Sequence, residues 1–131
     1  MNELRTAGER FLAAFDTRDF AQVQACFHPQ VQFRALIPPG VCEAADALGA
    51  TTHLRDWFGG ADHVEILNAE VGAVGDRLNM AYRLRVHDAD GWQIFEQQTY
   101  CRIQERLIAA MDLLCSGPQP DPAASAGTLH T

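Results

Sequence analysis

The sequence contains no lysine, so all ten of its cations are arginines. That excludes Schiff-base and pyridoxal-phosphate chemistry, and it excludes a P-loop, which needs its lysine. Serine occurs only at Ser116 and Ser125, and neither stands in a Gly-x-Ser-x-Gly elbow. No Gly-x-Gly-x-x-Gly is present, so the usual dinucleotide fingerprint is missing as well. No apolar run approaches the roughly 20 residues of a membrane span. The arginines are scattered through a chain of net charge -7, which argues against a nucleic-acid partner, because phosphate binding needs clustered positive charge. Cys26, Cys42, Cys101 and Cys115 form no Cys-x-x-Cys pair and have no histidine at zinc-finger spacing. They read as free, buried thiols, and the polar opening Met-Asn-Glu-Leu-Arg does not read as a secretory leader. The expected compartment is therefore a reducing cytoplasm.

What is present is one domain's worth of ordinary globular sequence, 131 residues with 47% hydrophobic and 21% charged. Leu4, Ala7, Phe11, Leu12 and Phe15 recur at helical spacing and predict a first helix over residues 3–15. Asp19 is a good N-cap for a short second helix carrying Phe20, Val23 and Phe27, closed by Pro29. Val31–Ile37 alternates and predicts a strand, stopped by Pro38-Pro39-Gly40. A third helix is expected from Glu43 to Phe58, with Gly59-Gly60 as a left-handed cap. Strands are then expected over His63–Val74, Leu78–His87, Trp92–Gln104 and Leu107–Cys115. Gly75-Asp76 turns the first pair and should set Leu67, Val71 and Ala73 against Leu84, Met80 and Leu78. Helices followed by strands indicate an α+β fold, three N-terminal helices on a strongly bent, mostly antiparallel sheet. Residues 1–116 form this domain, and residues 117–131, rich in Gly, Pro and Ala, read as a disordered tail.

This order, with Phe-Leu-Ala-Ala-Phe at 11–15, Asp-Phe-Ala-Gln-Val at 19–23 and the strand Val31–Ile37, resembles the nuclear transport factor 2-like (cystatin-like) superfamily. It is most similar to the SnoaL-like polyketide cyclase group and its bacterial relatives. The resemblance implies a cone whose sheet wraps the helices around an apolar cavity for a small hydrophobic molecule. It also implies homodimers joined through the outer sheet face, and cyclase, isomerase or dehydratase chemistry that uses a cavity carboxylate and neither cofactor nor metal. Non-catalytic binders and dimerising accessory proteins share the fold, so fold alone leaves function open.

Three carboxylate positions of these enzymes are vacant here. Ala35 stands where ketosteroid isomerases carry their base, and His87 in Arg85-Val86-His87 replaces the aspartate of the epoxide hydrolases' Arg-x-Asp. On the last strand, Leu113 takes the aspartate position and Asp112 falls one residue early, which turns it to the opposite face. Counting pairs from a two-residue turn at Glu105-Arg106 instead sets Thr99 opposite Asp112 and brings Asp112 inside. A single β-bulge reverses that parity. Asp112 as base and Tyr82 as hydrogen-bond donor are the candidate catalytic residues, with Phe15, Phe33, Trp57, Met80, Leu84, Thr99 and Leu113 as candidate ligand walls. Core packing alone explains Phe15, Phe33 and Trp57 better than a ligand role does, and a core tyrosine with a locally satisfied hydroxyl explains Tyr82 equally well. His63 and His87 approach across the second hairpin but make a poor metal site without a third ligand. Arg83 and Glu96 are expected to pair on the outer face.

Overall fold

The computed structural model describes residues 2–38 and 40–122. Helix α1 (Asn2–Asp16) buries Ala7, Phe11, Leu12 and Phe15, the stripe that its periodicity predicts. Helix α2 (Phe20–Cys26) starts where the Asp19 carboxylate accepts the Gln22 N–H at 3.2 Å. It stops one residue earlier than expected, because Phe27 is extended and opens strand β1 (Phe27–Ile37), with Pro29 inside the strand. A hairpin that pairs Ile37 with Gly40 leads into β2 (Gly40–Ala44), a short edge strand that replaces the expected first turn of the third helix. Helix α3 runs Ala47–Phe58, started by the Asp46 carboxylate accepting the Gly49 N–H at 2.7 Å. Gly59 is not left-handed (φ -68); its N–H meets the Arg55 carbonyl at 2.6 Å, and a Cβ there would collide with the same oxygen.

Four long strands follow, β3 (His63–Val74), β4 (Arg77–Asp88), β5 (Gly91–Gln104) and β6 (Leu107–Cys115). A two-residue β7 (Gln119–Pro120) completes a sheet ordered β2-β1-β6-β5-β4-β3, with β7 beside β5. The pairs are antiparallel except β1 with β6, which is parallel. The fold is therefore α+β, but a strand hairpin stands between α2 and α3, so the helices do not form one N-terminal block. Val71 faces Met80 and Ala73 faces Leu78 as expected, whereas Ile66 rather than Leu67 faces Leu84. A register shift between Ile66 and Asn68 absorbs Leu67 and leaves it exposed.

The tail expectation fails at its start. Strand β5 is 14 residues long and β6 only 9, so the first half of β5 has an open edge. Ser116 continues that ladder, its N–H donating to the Glu96 carbonyl at 2.9 Å and its Oγ accepting the Glu96 N–H at 3.0 Å. Gln119 and Pro120 then pair with Ile94 and Gln93, and Asp121 is buried with Arg85 Nε donating to its carboxylate at 2.8 Å. An unfilled strand edge outweighs the turn-forming composition. Residues 123–131 of the expected tail lie outside the described residues.

The core lies between the helices and one face of the sheet. Six aromatic side chains close a circuit there: Phe11 meets Phe15, then Phe58, Trp57, Phe33, Phe27 and Phe11 again, at centroid separations of 5.6 to 6.5 Å. Edge-to-face and tilted contacts of this kind bury large areas and lock ring orientation. Among the described residues, no helix is long and apolar enough to cross a membrane.

Candidate functional site

Strand alternation decides which side chains reach the aromatic circuit. On β4, Leu78, Met80, Tyr82, Leu84 and Val86 are buried, while Arg83 is exposed and Arg85 half-buried. On β5 the inner series is Phe95, Gln97, Thr99 and Cys101, since Phe95 packs edge-on against Phe58 at 5.3 Å and Thr99 pairs with Met80. On β6 it is Met111, Leu113 and Cys115. Of the expected wall residues, Phe33, Met80, Leu84, Thr99 and Leu113 therefore face the helices, which carry Phe15 (α1) and Trp57 (α3). Phe15 stands 6.0 Å from the Tyr82 ring, and Thr99 pairs with both Met80 and Leu113. Trp57 is half-buried, as are Ile37, Cys42 and Phe95, each packed against the core; Trp57, in contact with buried Phe33 and Phe58, marks the rim of the aromatic circuit.

Tyr82 is inside as expected. Its hydroxyl donates to Gln97 Oε1 at 2.7 Å, and Gln97 Nε2 donates to Cys115 Sγ at 3.4 Å. The Gly117 N–H donates to the same sulfur at 3.4 Å. The Cys101 thiol faces Thr99 Oγ1 at 3.7 Å. Burial, with the neighbouring Cys101 and Cys115, pushes the Tyr82 phenol well above its ordinary value. Burial likewise pushes the Cys101 thiol up to about 12. These groups hold their protons at neutral pH, so the polar part of the interior is uncharged.

Asp112 is not part of it. Its side chain is 64% exposed and faces Arg34 Nε at 3.6 Å on the outer side of the sheet. The reason is the anticipated bulge: Ile103 pairs with Ile108 but Arg102 pairs with Ala110. The extra residue, Ala109, moves the register so that Tyr100 faces Asp112 and Thr99 faces Leu113. Among the described residues, Asp121 is the one buried carboxylate, and it serves the outer-face Arg85. Sequence counting from the turn missed this bulge, whereas the likeness of the last strand to the epoxide hydrolase pattern, with Leu113 in the aspartate position, pointed to the observed faces.

The outer face gathers the charges. Arg83 pairs with Glu96 at 3.4 Å, as expected. The Arg85 guanidinium lies 4.1 Å over the Trp92 ring, and its Nη1 is 3.9 Å from Glu65. His63 and His87 do pair across β3 and β4, yet each turns to its own carboxylate, Glu65 at 3.2 Å and Asp62 at 2.7 Å. Among the described residues, no three histidine, cysteine or acidic side chains converge as a metal site. A hollow of about 500 Å³ lies against this face, lined by Leu36, Val41, Tyr100 and Leu114 with Arg34 and Asp112 at its edge.

Sequence reasoning gave His53 no partner. In the structure its ring lies nearly parallel to Phe33, 5.9 Å away at 13°, and 6.1 Å from Trp57 at 27°. Its Nε2 is 3.1 Å from the Glu43 backbone oxygen. The placement follows from β2, the element that the sequence did not disclose.

Known structures share this architecture. An LEH-like epoxide hydrolase of M. tuberculosis aligns with a TM-score of 0.67 at 19% identity, over 88% of this chain and 84% of its own. A protein of Catenulispora acidiphila with a ketosteroid isomerase-like fold, solved in complex with trimethylamine, gives 0.72 at 11%, over 85% of each chain. AusH of Aspergillus nidulans gives 0.71 at 12%, over 92% of this chain and 88% of its own. At these identities the likeness concerns the fold alone. No curated protein matches the chain at a significant level. The SnoaL-like domain family matches residues 8–111, most of the helix-and-sheet unit described above, and the chain belongs to that family, with the nuclear transport factor 2-like fold that its helices and sheet display.

Proposed function

We propose that this chain binds a small, largely apolar molecule between α3 and the inner face of the sheet, and that it does so without acid/base turnover by an interior carboxylate. One observation carries the reading: the polar side chains buried behind the aromatic rings, Tyr82, Gln97 and Thr99, are neutral, His53 stands at the edge against Phe33 and Trp57 and is tied to the Glu43 carbonyl, and the described carboxylates lie outside. General acid/base work needs a group that gives and takes a proton near the working pH. Tyr82, held protonated by burial, is suited to donating a hydrogen bond and not to taking a proton. The family's small-molecule chemistry supports an occupant of this kind. Entry is at the rim, where Trp57 is only half covered. The four free cysteines support a reducing, cytoplasmic setting.

A titration of the Trp92→Phe variant, which leaves Trp57 as the sole tryptophan, tests the reading with 2-methoxynaphthalene as probe. Saturable quenching of Trp57 emission is expected, and Trp57→Phe in the wild-type background should remove the quenching. Emission that never saturates refutes an apolar site at this rim.

A specific observation also favours assembly through the outer face, as a homodimer. Leu36, Val41, Tyr100 and Leu114 surround the hollow beside Arg34 and Asp112, and each is 44% to 57% exposed. Apolar side chains grouped in this way on a sheet face mark an association surface. Leu114→Glu should turn a sedimenting dimer into a monomer; a wild-type chain that sediments as a monomer at all concentrations ends this part of the proposal.

A further inference from the structure

We propose that His53 Nδ1 is the hydrogen-bond acceptor that holds the hydroxyl of a planar, otherwise apolar weak acid, a phenol or an enol, against the Phe33–Trp57 wall. The inference rests on the ligand-binding reading and names the polar contact of the same site. His53 sits one helical turn before Trp57 on α3 and is half-buried. Its ring, the Phe33 ring and the Trp57 ring stand 5.9 to 6.4 Å apart, with mutual angles of 13° to 39°. The half-buried His53 and Trp57 rings, stacked at 27° beside the buried Phe33 ring, favour a flat apolar partner.

The tether to Glu43 settles where the imidazole carries its proton. A backbone carbonyl has lone pairs and no hydrogen to give, so the bond at 3.1 Å is donated by Nε2. In the neutral ring this leaves Nδ1 as a bare acceptor. The other polar side chains of the interior are committed to one another, Tyr82 to Gln97, Gln97 to Cys115 and Cys101 to Thr99. A ligand that offers only a carbonyl would set its lone pairs against that of Nδ1. A phenolic or enolic O–H supplies the donor and keeps the skeleton flat.

Several charged or titratable groups lie on the elements packed against His53. On β1 they are Arg34 and His28, and on β2 and the segment after it Cys42, Glu43 and Asp46. On α3 they are Arg55 and Asp56, and on α2 only the buried Cys26. Arg34 is engaged by Asp112 on the opposite face, Arg55 lies over Phe20, Asp46 caps Gly49 and His28 Nδ1 accepts the Gln30 N–H. Among the described residues, none of these groups is hydrogen-bonded to His53 Nδ1.

The experiment compares 2-naphthol with 2-methoxynaphthalene, which keeps the flat body and lacks the donor, on wild-type, His53→Phe and His53→Gln chains. Wild type should bind 2-naphthol roughly five-fold more tightly, the size of one neutral hydrogen bond. His53→Phe should lose the preference. His53→Gln should keep it, because its amide can donate to Glu43 and still accept from the ligand. If both probes bind wild type equally, or if the preference survives His53→Phe, the role of His53 is refuted while the binding reading stands. If neither probe binds, both fall together.

Discussion

The two faces of the same sheet are built from alternate residues of the same strands, yet they use opposite electrostatics. Inside, Tyr82 and Gln97 form a neutral pair at 2.7 Å, both buried, with the Phe15 ring against Tyr82 and the Cys115 sulfur against Gln97. Outside, Arg34 and Asp112 form an ion pair at 3.6 Å with both side chains about two-thirds exposed (68% and 64%). A buried polar group is costly when its partner is lost, whereas an exposed ion pair is already half replaced by water. The inner pair therefore matters to stability and the outer pair hardly does. For function the contrast means that a carboxylate moved by one residue along a strand exchanges a proton-transfer role for a surface one.

Breaking the inner side should cost most at the rings. Phe15→Ala removes a side chain that touches Phe11, Phe58 and Tyr82, and should lower unfolding free energy by about 3–5 kcal/mol in a urea titration. A loss under about 1 kcal/mol would mean that these rings are not a packed unit. Tyr82→Phe is the sharper probe of the polar pair: it strands Gln97 Oε1 and should cost about 1–3 kcal/mol. Adding Gln97→Leu should recover much of that loss, since no buried acceptor is then left unpaired; simple additivity would contradict the pairing.

Alkali separates the faces by their titration. Burial raises the Cys101 thiol from 9.0 to about 12 and raises Tyr82 as well. The unfolded chain loses these protons first, so it binds fewer protons than the native state above pH 9, and stability falls as pH rises from there towards about 12. Each such group contributes up to about 1.4 kcal/mol per pH unit. Cys101→Ala should flatten the slope in that window and leave it unchanged below; an unaltered slope would place the thiol in water. The smallest effect is expected outside: Asp112→Asn should change stability by less than about 0.5 kcal/mol and leave probe binding unaffected. A substantial loss of binding in that variant would restore Asp112 to the site.

The sequence disclosed those parts of the fold that local chemistry controls. The α1 stripe, the Asp19 cap, the turn at Gly75 and the inner series Met80, Tyr82, Leu84 all depend on neighbours within a few residues. The misplaced parts depend on pairing between distant segments. Strand β2 forms because β1 offers an edge, and the Ala109 bulge is set by β5 and β6 together. Gln119–Asp121 is held because β5 outruns β6. The site shows the same division. The faces of Phe33, Met80 and Leu84 were legible because alternation fixes them, whereas Asp112 depended on one uncounted residue and His53 on an unseen strand.

The central proposal is that a small apolar molecule binds between α3 and the inner face of the sheet, within reach of the inner methionines. Met80 and Met111 are both fully buried on that face, on neighbouring sides of β5. Titration of 2-methoxynaphthalene into protein carrying carbon-13 methionine methyls reads this directly. The account predicts saturable shifts of the Met80 and Met111 methyl signals, present in Asp112→Asn and lost in Trp57→Ala. Methyl signals that stay fixed while the probe shifts only outer-face resonances would contradict it.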